Sequence, residues 1–301
     1  MTPLELAPET LRGDRPVYLK REDLHILGAF KWRGALPTLQ GYRERGVAGV
    51  VTASTGNHGA ATAWAGQRLG MRVTVFAPES ASAAKLALIQ SQGAAVRLVG
   101  RDFDEAKEAA SVFAARERLP FFEDGSEPGQ YEGYRSIARE IWEQCPEAPS
   151  TLLVPVGNGA LIAGIGIEAK ERSRGKARVV GVAAKQAPVM ALSFDARGPV
   201  ACDRMATFAD GLAVRVAIPA AVDAVNRVVD QFVLVSEREI ARALALYAEV
   251  GIRTEGAAAA ALAALPKVAD LPGPIVIIVT GRNIDHDLFE RARTRPESFS
   301  D

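Results

Sequence analysis

The 301-residue chain is 48% hydrophobic and 24% charged, the make-up of a globular protein with one large domain or two modest ones. Lys and Arg together number 36, as do Asp and Glu, so there is no basic excess for a nucleic acid or anionic membrane, and no apolar run, Ile275–Val279 included, is long enough to span a bilayer. Two distant cysteines (Cys145, Cys202), three scattered histidines (His25, His58, His286) and a proline- and acid-bearing N-terminus argue against a disulfide framework, a metal cluster and a signal peptide; a cytoplasmic protein is expected.

Short β-rich runs then alternate with helical stretches. Residues 49–54 read as a strand, followed by an alanine-rich helix over 59–69. Strand 72–77, helix 83–92, strand 95–99, helix 103–117 and strand 119–122 continue the pattern. The second half repeats it with strand 151–156, helix 160–171 and strand 178–182, then strand 231–235, helices 237–249 and 256–265, and strand 274–279. Strands of about five residues between helices of ten or more indicate parallel α/β structure. The expected fold is α/β, with two open, twisted, mostly parallel sheets and flanking helices. In such sheets ligands gather in the loops at the carboxyl ends of the strands.

Three of those segments carry chemistry. Gly157, Asn158, Gly159, Ala160 and Leu161 follow a strand and open a helix. Glycines there let the backbone approach an anion, and the helix N-terminus offers unpaired N–H donors, which suits a phosphate. A dinucleotide is disfavoured, because Ile162 takes the place of the third glycine and no acid follows the next strand. Ser54, Thr55, Gly56, Asn57 and His58 form a polar turn at another helix start, suited to a carboxylate as well as to plain N-capping. Lys31 lies between Phe30 and Trp32, aromatic neighbours that favour a desolvated amine of the kind Schiff-base chemistry needs.

Together these segments resemble the fold-type II pyridoxal-5′-phosphate (PLP) enzymes, which include threonine and serine dehydratases, serine racemases and threonine synthases. The matching run begins at Thr2-Pro3-Leu4 and includes Lys20-Arg21-Glu22-Asp23-Leu24. It continues through Phe30-Lys31-x-Arg33-Gly34-Ala35, Ser54-Thr55-Gly56-Asn57-His58-Gly59 and the glycine loop at Gly157. Downstream come Asp210-Gly211-Leu212-Ala213, Glu255-Gly256-Ala257 and Thr280-Gly281-x-Asn283, in the family's order.

The resemblance implies that Lys31 holds PLP as a Schiff base and moves the Cα proton. Residues 157–161 would cradle the phosphate, Asn57 would bond the ring hydroxyl, Phe30 would pack on the ring, and Thr280 would meet the ring nitrogen. Residues 54–58 would hold the carboxylate of a small amino-acid substrate. The implied activity is deamination of L-threonine or L-serine by β-elimination. Alternatives are threonine-synthase-like replacement on a phosphorylated amino acid, serine-racemase-like activity through the Thr55 hydroxyl, and a PLP-binding protein without turnover. Related enzymes carry a metal-binding glutamate where this chain reads Ala183-Ala184-Lys185-Gln186, so no metal is expected there. The resemblance further implies a homodimer. It also implies a large domain from residues 1–44 and 128–301, a small domain over 45–127, and an active site between them.

Overall fold

The computed structural model describes residues 1–202 and 205–301. It divides into two compact units, one made of Met1–Phe30 with Tyr134–Asp301, the other of Lys31–Gly133. In chain order the elements are β1 (Leu4–Leu6), α1 (Glu9–Arg12), β2 (Val17–Arg21), α2 (Trp32–Glu44), β3 (Gly49–Ala53), α3 (Asn57–Leu69), β4 (Arg72–Ala77), α4 (Ala83–Ser91), β5 (Ala95–Leu98), α5 (Phe103–Glu117) and α6 (Pro128–Gln144). They continue with β6 (Thr151–Pro155), α7 (Ala160–Ser173), β7 (Arg178–Ala184), α8 (Val189–Asp195), α9 (Pro219–Val228), β8 (Gln231–Val235), α10 (Glu237–Glu249), α11 (Gly256–Ala263), β9 (Ile275–Val279) and α12 (His286–Thr294).

The larger unit is built on a six-stranded sheet in the order β1-β2-β9-β6-β7-β8. Every neighbouring pair in it is parallel except β1 with β2. The centre strands β6 and β9 are buried along their whole length, which is why their sequences, TLLVP and IVIIV, are continuously apolar and lack a period-two alternation. Helix α11 reads GAAAAALA and is buried at every residue but the last. Its small side chains let a helix sit inside the core rather than on it. Helix α10 starts at a capping box, with Ser236 accepting from the Glu239 amide and Glu239 from the Ser236 amide, which satisfies donors that the first turn leaves open.

The smaller unit holds the parallel sheet β3-β4-β5. Residues 119–122 do not form a full fourth strand. They pair with β3 through a single bridge at Phe121, held by the Val51 amide on the Pro120 carbonyl (3.0 Å) and the Phe122 amide on the Val51 carbonyl (2.7 Å). Pro120 has no N–H to extend the ladder. The segment after this bridge, Glu123-Asp124-Gly125, lies outside the sheet.

Candidate active site

In the larger unit the glycine loop runs from the end of β6 into α7. Gly159 has φ +90° and caps the helix, a left-handed conformation open to glycine and strained for other residues. A side chain at Gly157 would run into the carbonyl oxygen of Gly211. The Asn158 carboxamide oxygen accepts from the Ala160 amide at 3.1 Å. The loop thus presents backbone at a helix N-terminus, where N–H groups and the helix dipole favour an anion.

Thr280 follows β9 directly and is 2% exposed, and its hydroxyl oxygen has no hydrogen-bond partner among the described residues. A buried orphan of this kind costs about 1–3 kcal/mol and is rare in native proteins. The segment before Lys31 is zipped to the segment after β9. The Phe30 amide donates to the Thr280 carbonyl (3.1 Å) and the Arg282 amide to the Gly28 carbonyl (2.9 Å). The Asn283 side chain donates to the Leu27 carbonyl (2.7 Å), and Ala29 bridges Gly281. The Phe30 ring lies 5.2 Å from that of Tyr134, tilted by 56°.

In the smaller unit, Lys31 precedes α2, and its Nζ donates to Asp124 Oδ2 at 2.6 Å. The turn 54–58 is held by its own first residue, since Ser54 Oγ accepts from the amides of Gly59 (2.9 Å) and Gly56 (3.2 Å). Gly56 is the cap and Asn57 the first residue of α3. Thr55 and Asn57 are partly exposed. His58 is buried, with Nε2 at 3.0 Å from Thr52 Oγ1 and 3.3 Å from the Phe122 carbonyl. Because Thr52 Oγ1 donates its own proton to that carbonyl (2.7 Å), it can only accept from His58, which places a proton on Nε2. The other ring nitrogen lies 3.5 Å from Asp124 Oδ1.

Of the residues singled out from the sequence, Phe30, Thr280 and 157–161 belong to the larger unit, and Lys31 and 54–58 to the smaller one. Asp124 was not among them. Its signal was an acidic turn at the carboxyl end of a β-rich run, but its partner Lys31 lies 93 positions away. Gln130 fixes it further, donating to Asp124 Oδ1 at 3.0 Å while accepting from the Gly125 amide at 2.8 Å. Burial pushes the Asp124 carboxyl upward, but the charges of Lys31 and His58 and the hydrogen bonds of Lys31 and Gln130 outweigh it, holding the group well below the usual carboxylate range.

Residues 1–281 match the family model described as pyridoxal-phosphate dependent enzyme. The chain belongs to that family. An L-threonine ammonia-lyase from Geobacter sulfurreducens is 39% identical over 275 residues, which is 90% of this chain and 68% of that protein. One from Thermotoga maritima is 34% identical over 278 residues, 91% of this chain and 69% of that protein. Among solved structures, the processed threonine deaminase isoform 2 from Solanum lycopersicum superposes with a TM-score of 0.91 at 30% identity, covering 98% of this chain and 87% of that one. Maize serine racemase gives 0.88 at 25% identity, covering 99% and 92%. As a member, the chain is a PLP-dependent enzyme with a mixed α/β fold-type II architecture. The helix-start loop and the orphaned Thr280 hydroxyl fit such a group, the one offering donors to a phosphate, the other a partner to a ring nitrogen. Among the described residues, no group of three His, Cys, Asp or Glu side chains could hold a metal ion, and no helix is long and apolar enough to cross a membrane.

Proposed function

We propose that this enzyme is an ammonia-lyase that converts L-threonine or L-serine to the corresponding 2-oxo acid and ammonia. The observation that carries the reading is the group after β9. It is the buried hydroxyl of Thr280, whereas a carboxylate there would keep a ring nitrogen protonated. When bound, PLP supplies an electron sink for the Cα electrons, and a hydroxyl partner moderates that sink so that prompt loss of a β-substituent is favoured over a long-lived carbanion.

The residues divide the work as follows. Lys31 anchors the cofactor and, once displaced by an amino acid, moves the Cα proton. Gly157, Asn158, Gly159, Ala160 and Leu161 hold the phosphate, Phe30 packs on the ring, and Asn57 bonds the ring hydroxyl. The backbone of residues 54–58, at the start of α3, holds the substrate carboxylate, and Ser54 contributes by fixing that turn. His58 supports the site from its buried side.

The test is ammonia and 2-oxo acid release from L-threonine and L-serine by purified protein, with borohydride trapping to locate the cofactor. Trapping on Lys31, with both products lost in Lys31→Ala, is expected; turnover retained by Lys31→Ala would overturn the assignment. Assembly as a homodimer belongs to the same proposal and is read by light scattering on the eluting protein. A cytoplasmic setting accords with the two free cysteines.

A further inference from the structure

The carboxylate beside Lys31 has no place in the roles above, yet it is tightly held. Both of its oxygens are engaged. Oδ2 accepts from Lys31 Nζ at 2.6 Å, and Oδ1 accepts from Gln130 at 3.0 Å with the His58 ring 3.5 Å away. Gln130 is fully buried, and its other side-chain atom is tied to the Gly125 amide, so the carboxyl plane cannot rotate freely. His58 is pinned from behind by Thr52 and Phe122 and stacks edge-on to the Phe122 ring at 4.6 Å. A rigid carboxylate aimed at the one lysine that must be released and recaptured in every cycle is more than a chance surface pair.

We propose that Asp124 is a positioning residue that receives the Lys31 ammonium whenever the lysine is free of the cofactor. The inference rests on Lys31 being the anchor. In the elimination, the Cα–H bond breaks and an N–H bond forms on the Lys31 amine. The electron pair left at Cα expels the β-hydroxyl as hydroxide, which takes a proton from solvent to become water. The proton from Cα stays on Lys31 and is released to solvent when the amine recaptures the cofactor. The positive charge left on Lys31 in the interval is balanced by the Asp124 carboxylate, which itself gains no proton. The pairing also fixes where the amine waits, so that its return is a short, directed movement.

Asp124→Asn tests this sharply. Gln130 claims the acceptor position at Oδ1, so the amide must present its NH2 to Lys31, donor against donor. Asp124→Ser removes the charge with a smaller side chain, so failure of one variant to fold does not shelter the proposal. In the holoenzyme at rest, the cofactor absorbance should match that of the wild type, because Lys31 is then engaged elsewhere, and PLP should bind no more weakly, because the pair with Asp124 forms only when the lysine is free. Under saturating L-threonine, labelling of Lys31 by an amine-directed reagent, located by mass spectrometry, should rise several-fold. kcat should fall by about ten- to a hundred-fold with KM little changed, and Asp124→Glu, which keeps the charge, should recover most of it. Unchanged labelling and kcat in both neutral variants would overturn the proposal, as would failure to bind the cofactor at rest, which would mark a structural role. Absence of borohydride trapping on wild-type Lys31 would instead overturn the parent reading, whatever the Asp124 variants do.

Discussion

The Phe30 amide donates to the Thr280 carbonyl at 3.1 Å, which ties the residue before Lys31 to the residue that follows the central strand β9. The same residue thus offers its carbonyl to the lysine segment and keeps its hydroxyl unpartnered.

That division of labour predicts a separation of effects in Thr280→Val. The swap is nearly isosteric and removes an orphan rather than a bond, so the unfolding free energy should hold or rise by up to about 1 kcal/mol. PLP should dissociate faster, and turnover should fall. Urea unfolding alongside cofactor dissociation measures both; a large loss of stability would show that the hydroxyl has a structural partner.

Two glycines should respond oppositely to alanine. At Gly157 the new methyl meets the Gly211 carbonyl, and overpacking of this kind costs about 1–3 kcal/mol; cofactor retention should fall with it. At Gly56 nothing lies within 4 Å of the added carbon, and φ is −158°, which any residue adopts. Gly56→Ala should keep its stability while KM for the amino acid rises, since the open space lies over the carboxylate turn. Denaturation midpoints and initial rates for the two variants decide.

The cluster of Lys31, His58, Glu123 and Asp124 sets a pH dependence. Burial pushes the His58 imidazole below its ordinary value, with Asp124 pulling against that shift and Lys31 adding to it. The unfolded chain therefore takes a proton that the folded one refuses, and stability should decline as pH falls below the ordinary value of 6.5. Asp124 is shifted the other way for an acid, so its contribution is full above the ordinary 3.8 and is lost as the pH drops through the depressed folded value. Urea midpoints from about pH 8 downward should show the His58 limb below the ordinary 6.5 and the Asp124 limb opening below the ordinary 3.8 and still falling at the lowest pH reached, with Asp124→Asn lacking the lower one.

Lys20 is fully buried and donates to Glu140 (2.6 Å), Gln144 (3.0 Å) and the Thr2 carbonyl (2.7 Å). Glu140→Ala takes away the Glu140 carboxylate that pairs with that buried ammonium and should cost about 3–5 kcal/mol. Lys20→Met combined with Glu140→Leu removes both charges and should cost markedly less. Equal losses in the two proteins, by thermal or urea unfolding, would contradict this account.

Much of the site was readable because each segment carries local punctuation. The glycines after β6 and the polar turn before α3 mark strand-to-helix junctions whatever surrounds them. Helix α3 begins at Asn57, two residues before the expected 59, because the polar turn is itself the helix's first turn. The run 256–265 does form a buried helix, α11, although it ends at Ala263. Strand β1, three residues with two of them exposed, has too little pattern to announce itself. The expected strand at 119–122 shrinks to one bridge because Pro120 interrupts the donors. Asp124 was invisible for a different reason. Nothing in its neighbourhood names Lys31, and only the folded sheet brings the two together.

The brief antiparallel strand β1 has a consequence for solubility. It covers the outer edge of β2, whose five residues are almost entirely buried, and it does so with Glu5, which pairs with Arg21 at 2.7 Å. A charged three-residue edge is a poor template for further strand addition. Trimming residues 1–7 would leave Val17–Arg21 as an open, largely apolar edge beside the central strand, and aggregation through that edge would be the first symptom, ahead of any loss of catalysis.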